Sequence, residues 1–237
     1  SLFIFFLFFA STLANADIFI KKTRHIKEAV IQGQTQPARD EEGGTWLGND
    51  VFKEEIGRDS IIIRFDLNKI YSVDHSEKTY SEIDLPFDLE KILPADALLM
   101  MQMMQVTASL TETGETQKIK DWDCKKYVAE MSVSMMGMTM PGKMEIWATK
   151  DVDIDFDAFK KFYAEVLLLI PFLSELSKES EKIDGLPVLV SLSMNVMGAD
   201  TGYEEEVLSI EKKDAPQGTY EIPKGYTKAA FNPFKQR

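Results

Sequence analysis

IKDWDCKKYVAEMSVSMMGMTMPGKMEIWAT, residues 119–149, decides the fold. Tyr127, Ala129, Met131, Val133 and Met135 fall on one face at period two, and Glu130, Ser132 and Ser134 fall on the other. The alternation runs into Pro141-Gly142-Lys143 and resumes in Met144, Ile146 and Ala148. This predicts a long β-hairpin turning at Pro141–Lys143, buried on one face and wet on the other, with Gly137 as a bulge. Ten of the chain's twelve methionines lie between Met100 and Met144.

Outward from the hairpin, the N-terminal side reads as a meander of short strands. Asp17–Gln32 forms a first strand with Ile18, Ile20, Ile26 and Val30 as its apolar members. Gln34–Gly44 is a polar, glycine-rich loop by composition. Trp46–Ile56 and Ser60–Asp66 follow as strands, then a hairpin from Ile70–His75 and Thr79–Ile83. Helix formers fill Phe87–Met104, and prolines divide them into short helices starting near Asp88 and Asp96. Val106–Leu110 and Glu115–Lys120 return to strand.

On the C-terminal side, Asp155 or Asp157 caps the principal helix, whose apolar face carries Phe159, Phe162, Tyr163, Val166 and Ile170. Phe172–Ser180 is a shorter helix, and Val188–Val196 and Tyr203–Lys212 are the last strands. The sum is an α+β protein: a strongly curved antiparallel sheet of roughly ten strands, with one main helix and short helices over its open side.

Residues 1–16 form an uncharged apolar block ending Ala14-Asn15-Ala16, the pattern of a secretory signal peptide cut after Ala16. Residues 17–237 are then one domain, located in the periplasm or secreted, with no transmembrane segment, since Val166–Leu173 is too short to span. Hydrophobic residues make up 44% of the chain, enough for a sizeable core. A net charge of −12 repels phosphate backbones and argues against nucleic-acid binding. Cys124 stands alone and reads as a small buried thiol behind Trp122.

Four motifs, IKDWDCKKY, MEIWATKDV, DGLPV and IPKGY, occur in that order. With them the chain resembles the bacterial domain of unknown function 4412, a family similar to the periplasmic lipoprotein-carrier (LolA/LolB-like) fold. The resemblance implies an incomplete, strongly curved barrel whose helices plug its open side over an apolar cavity.

No catalytic triad, P-loop, dinucleotide fingerprint or histidine-rich metal motif is present, and His25 and His75 sit where surface positions are expected. No enzyme activity and no cofactor are therefore expected. The methionines leave three readings open. In the first, a lipid or the acyl chain of a lipidated protein is held between Met100, Met101, Met103 and Met104 on a helical lid and Tyr127, Met131, Met135, Met144, Phe159 and Tyr163. In the second, Met136, Met138 and Met140 bind Cu(I) through soft thioethers. In the third, all of them fill an irregular core, and the chain is a structural or partner-binding envelope protein.

Overall fold

The computed structural model describes residues 16–31, 33–135, 137–168, 174–196 and 198–231. Twelve strands form one open sheet, two more than expected, and a separate pair stands beside it. The first meander is β4 (Arg39–Leu47), β5 (Val51–Ile56), β6 (Asp59–Arg64), β7 (Lys69–Asp74) and β8 (Thr79–Asp84). The second is β9 (Gln105–Ile119), β10 (Trp122–Met135), β11 (Met138–Thr149), β12 (Leu186–Val196) and β13 (Ala199–Lys212). Strand β1 (Ile18–Ile26) joins them, pairing with β4 on one side and β13 on the other. The short β2 (Ala29–Ile31) and β3 (Gln34–Gln36) form the separate pair, and β14 (Thr227–Lys228) adds a parallel edge to β8.

The sheet is strongly curved. Strands β8 and β9 stand ten spacings apart in strand order, about 50 Å if the sheet were flat. Yet Ile83 of β8 and Ile119 of β9 belong to one contiguous core. Four helices accompany the sheet: α1 (Leu89–Ile92), α2 (Ala95–Gln102), α3 (Phe156–Leu168) and α4 (Ser174–Ser180). Asp155 caps α3 by accepting the N–H groups of Asp157 and Ala158 at 3.1 and 3.0 Å. Phe159 and Phe162 of α3 are buried, and the Phe162 ring stacks on Phe52 of β5 with centroids 4.4 Å apart. The apolar helix face is where periodicity put it; Ile170 lies outside the described residues.

The predicted hairpin is present, and Tyr127, Ala129, Met131, Val133, Met144, Ile146 and Ala148 are buried as expected. Its turn is displaced. Met135 pairs with Met138, so the strand has reversed before Met138, with Gly137 at φ +80°, while Pro141-Gly142-Lys143 lies inside β11. Pairing of β11 with β12 begins at Gly142, leaving Pro141 at an edge position where a strand tolerates the missing N–H.

The expected loop at Gln34–Gly44 is also wrong: Gln34–Gln36 is β3, and β4 already runs from Arg39. Its glycines serve close strand packing, because a Cβ on Gly43 would sit 1.9 Å from the Glu55 carbonyl oxygen and one on Gly44 2.6 Å from that of Ile20. The first strand stops at Ile26, with β2 separate, and Val30 is 53% exposed and outside the core. Val106–Leu110 and Glu115–Lys120 are one strand, with Gly114 at φ +78° inside it. Cys124 is 2% exposed; burial pushes its thiol up, as suits an inert core position.

Candidate functional site

The curved sheet brings charges as well as apolar groups to its helix-covered face. On β1 the positions sharing a face with Ile20 include Lys22 and Arg24, and register places Glu205 of β13 opposite Arg24. Lys22 Nζ lies 2.9 Å from Glu54 and 3.2 Å from Glu205, and Arg24 Nη2 lies 2.6 Å from Glu205. Lys22 also donates to the Tyr163 hydroxyl of α3 at 3.4 Å, and the Arg24 guanidinium lies 4.8 Å from the Tyr203 ring centroid.

Burial pushes the Glu205 carboxyl up, but Lys22 and Arg24 outweigh it and hold the group below its usual range. Burial likewise disfavours the Lys22 ammonium, and Glu205 and Glu54 reverse this and raise it. Burial, with Glu205 next, pushes the Tyr203 phenol up to about 12. Two cations and two carboxylates thus compensate one another under α3. A buried network of this kind fixes geometry more than it binds a guest.

The apolar residues expected to line one cavity occupy separate places. Tyr127, Met131 and Met144 pack with Leu176 of α4, Ile183 and Leu192 in one core, with Met131 also bordering an open cavity of about 830 Å³. Phe159 and Tyr163 belong to the other core, over Phe52 and Ile20. Met135 is half-buried beside the hairpin tip, Met104 is half-buried after α2, and Met103 is 43% exposed. Met100 and Met101 lie on α2, but their side chains fall outside the described residues, as does Met136 altogether. Met138 is 50% exposed and Met140 half-buried.

A different apolar groove opens where the first meander ends. Chain leaving β8 passes Leu85-Pro86-Phe87 into α1, and the segment after β14 returns Phe231 beside it. The Phe87 and Phe231 rings meet edge to face, with centroids 6.4 Å apart. Together with Ile83, Leu85, Ile92 and Leu168 at the end of α3, they line a groove of about 810 Å³. Ligand sites are commonly about 300–1,000 Å³ and apolar, so the groove has the size and lining of one.

Its rim is ionic. Glu82 and Asp84 share Lys69 at 2.7 and 2.5 Å, Lys228 lies 3.2 Å from Glu82, and Asp88 pairs with Lys91 at 2.9 Å. Hydrogen bonds from Lys69 hold Glu82 and Asp84 below their usual range, and one from Lys91 does the same for Asp88. Sequence reading missed this groove because its walls come from Ile83–Ile92, Leu168 and Phe231, which no periodic pattern connects. The available signal was Leu85-Pro86-Phe87, an apolar run at the change from strand to helix.

His25 is at the surface as expected, with its side chain 54% exposed. His75 is half-buried at the surface: Nε2 lies 3.0 Å from the Ser60 hydroxyl and Nδ1 2.9 Å from that of Tyr226, so it ties the C-terminal segment to the sheet. No helix among the described residues is long and apolar enough to cross a membrane.

A family model described as Domain of unknown function (DUF4412) matches residues 47–226, from the end of β4 to Tyr226. No curated protein matches the chain.

Proposed function

We propose, from the premise that this chain belongs to the domain of unknown function 4412 family, that it is an exported, non-enzymatic binder of an apolar chain such as a lipid or protein-linked acyl group. The observation that carries the reading is the groove of about 810 Å³ between the end of β8, α1, the end of α3 and Phe231. An open curved sheet with helices on one face is a plan suited to a carrier, and the lipoprotein-carrier likeness belongs to this proposal. The guest sits between the Phe87 and Phe231 edge of the core and α1, rather than against the methionines of β10 and β11. Met131 and Met144 are 5% and 6% exposed and packed mainly against core residues, and the cavity of about 830 Å³ that Met131 borders is otherwise lined largely by polar residues such as Thr107, Ser109, Glu130 and Ser132. The copper alternative has weaker support, because Met138 stands half-exposed near the hairpin tip.

The test is fluorescence of N-phenyl-1-naphthylamine, a neutral apolar probe, titrated with the purified protein. Saturable enhancement is expected, with Phe87→Asp or Ile92→Asp weakening it about tenfold by placing a charge on an apolar wall. Absence of saturable enhancement in a folded wild-type protein overturns the proposal, as does undiminished binding in both folded variants.

A further inference from the structure

The groove's rim bears on which apolar chains it accepts. Four carboxylates, Glu82, Asp84, Asp88 and Glu90, line it against two lysines, Lys91 and Lys228. Both lysines are already engaged, Lys91 by Asp88 and Lys228 by Glu82. The nearby Lys69 bridges Glu82 and Asp84. Among the described residues Glu90 has no cationic side chain against it. An anionic head at this mouth would meet surplus carboxylate and no unengaged ammonium. A cationic head would meet the reverse, favoured further by the chain's net charge of −12.

We infer that the groove selects amphiphiles by head charge, taking a long apolar chain that ends in a cationic group and rejecting the free fatty-acid anion. The inference rests on the apolar-chain reading above and narrows its ligand class. The apolar floor supplies affinity for any chain of suitable length, and the rim supplies discrimination between heads. Because the rim is solvent-exposed, that discrimination weakens with salt.

The experiment displaces bound N-phenyl-1-naphthylamine with dodecyltrimethylammonium and with dodecanoate, both below micelle-forming concentrations. The cationic amphiphile is expected to compete about tenfold more tightly at low salt, with the ratio falling as salt is added. In the double variant Glu82→Gln, Asp84→Asn, which releases Lys69 and Lys228, the preference should invert toward dodecanoate. The charge-matched control Glu112→Gln, Glu115→Gln on β9 should keep the wild-type preference. Equal or tighter binding of dodecanoate to the wild type overturns the inference while leaving the apolar binder standing. An unchanged preference in the rim variant, or the same loss in the β9 control, overturns it as well. If the naphthylamine probe itself fails to bind, both readings fall together.

Discussion

The two meanders are built from the same hydrogen-bonding pattern, yet their helix-covered faces are filled differently. Under α3, the β4–β8 half packs aromatic rings, Phe52 stacked on Phe162, beside the Lys22–Glu54–Glu205–Arg24 network that β1 brings to the seam. Under α4, the β9–β13 half packs Met131, Met144, Leu176, Ile183 and Leu192 with the Tyr127 ring. Paired charges and stacked rings demand one geometry, whereas unbranched thioethers conform to whatever surrounds them. The contrast separates a directional seam from an adaptable core within one continuous sheet.

The largest test of that contrast removes a seam carboxylate. Glu205→Ala leaves Arg24 and part of the Lys22 charge uncompensated under α3, and is expected to cost about 3–5 kcal/mol in urea unfolding. A loss below about 1 kcal/mol, the level of an exposed ion pair, would erase the distinction between the two halves. In the other half, Met131→Leu keeps volume and hydrophobicity and should cost less than about 1.5 kcal/mol in the same assay. A larger penalty would mean that the methionine core is as shape-specific as the aromatic one.

The smallest effect sharpens the comparison through pH. The folded-state value of Glu205 lies below its ordinary 4.5, so the carboxylate contributes stability above that value. The contribution is lost as pH falls from about 4.5 through the lower folded-state value. The stability gap between wild type and Glu205→Gln should therefore be widest near neutrality and narrow in acid, read as urea midpoints across pH. A gap that widens in acid would reverse the sign and contradict the seam's charge pairing.

Much of this was legible wherever one face of an element is dry and the other wet. The β10 and β11 pattern and the α3 face are of that kind, since burial imposes period two or 3.6 directly on side-chain polarity. The hairpin turn was not legible: Pro141-Gly142 has turn chemistry, but the reversal is made around Gly137, and a turn at either place fits the alternation. Strand β4 was hidden because its Glu41-Glu42-Gly43-Gly44 composition answers to close neighbouring backbone, which sequence does not display.

The seam escaped for a related reason. Lys22 and Arg24 sit in the basic stretch Lys21–Lys27, and only their shared parity with Ile20 marks them as inward-facing. The groove had still less signal, since Phe87 and Phe231 meet only through the return of the tail along β8. Of the residues expected to line a site, the structure gathers Tyr127, Met131 and Met144 in one core and Phe159 and Tyr163 in another.

The position of β1 also dictates an order of assembly. Its β4 side closes locally, Ile18 opposite Leu47, but its β13 side needs Lys212 opposite the same Ile18. A chain emerging from its N-terminal side therefore holds one unpaired β1 edge until β13 is available. Pairings of such sequence separation slow folding and leave strand edges open to intermolecular association. Shielding that edge during synthesis is a requirement that the finished sheet, with β1 enclosed on both sides, no longer displays.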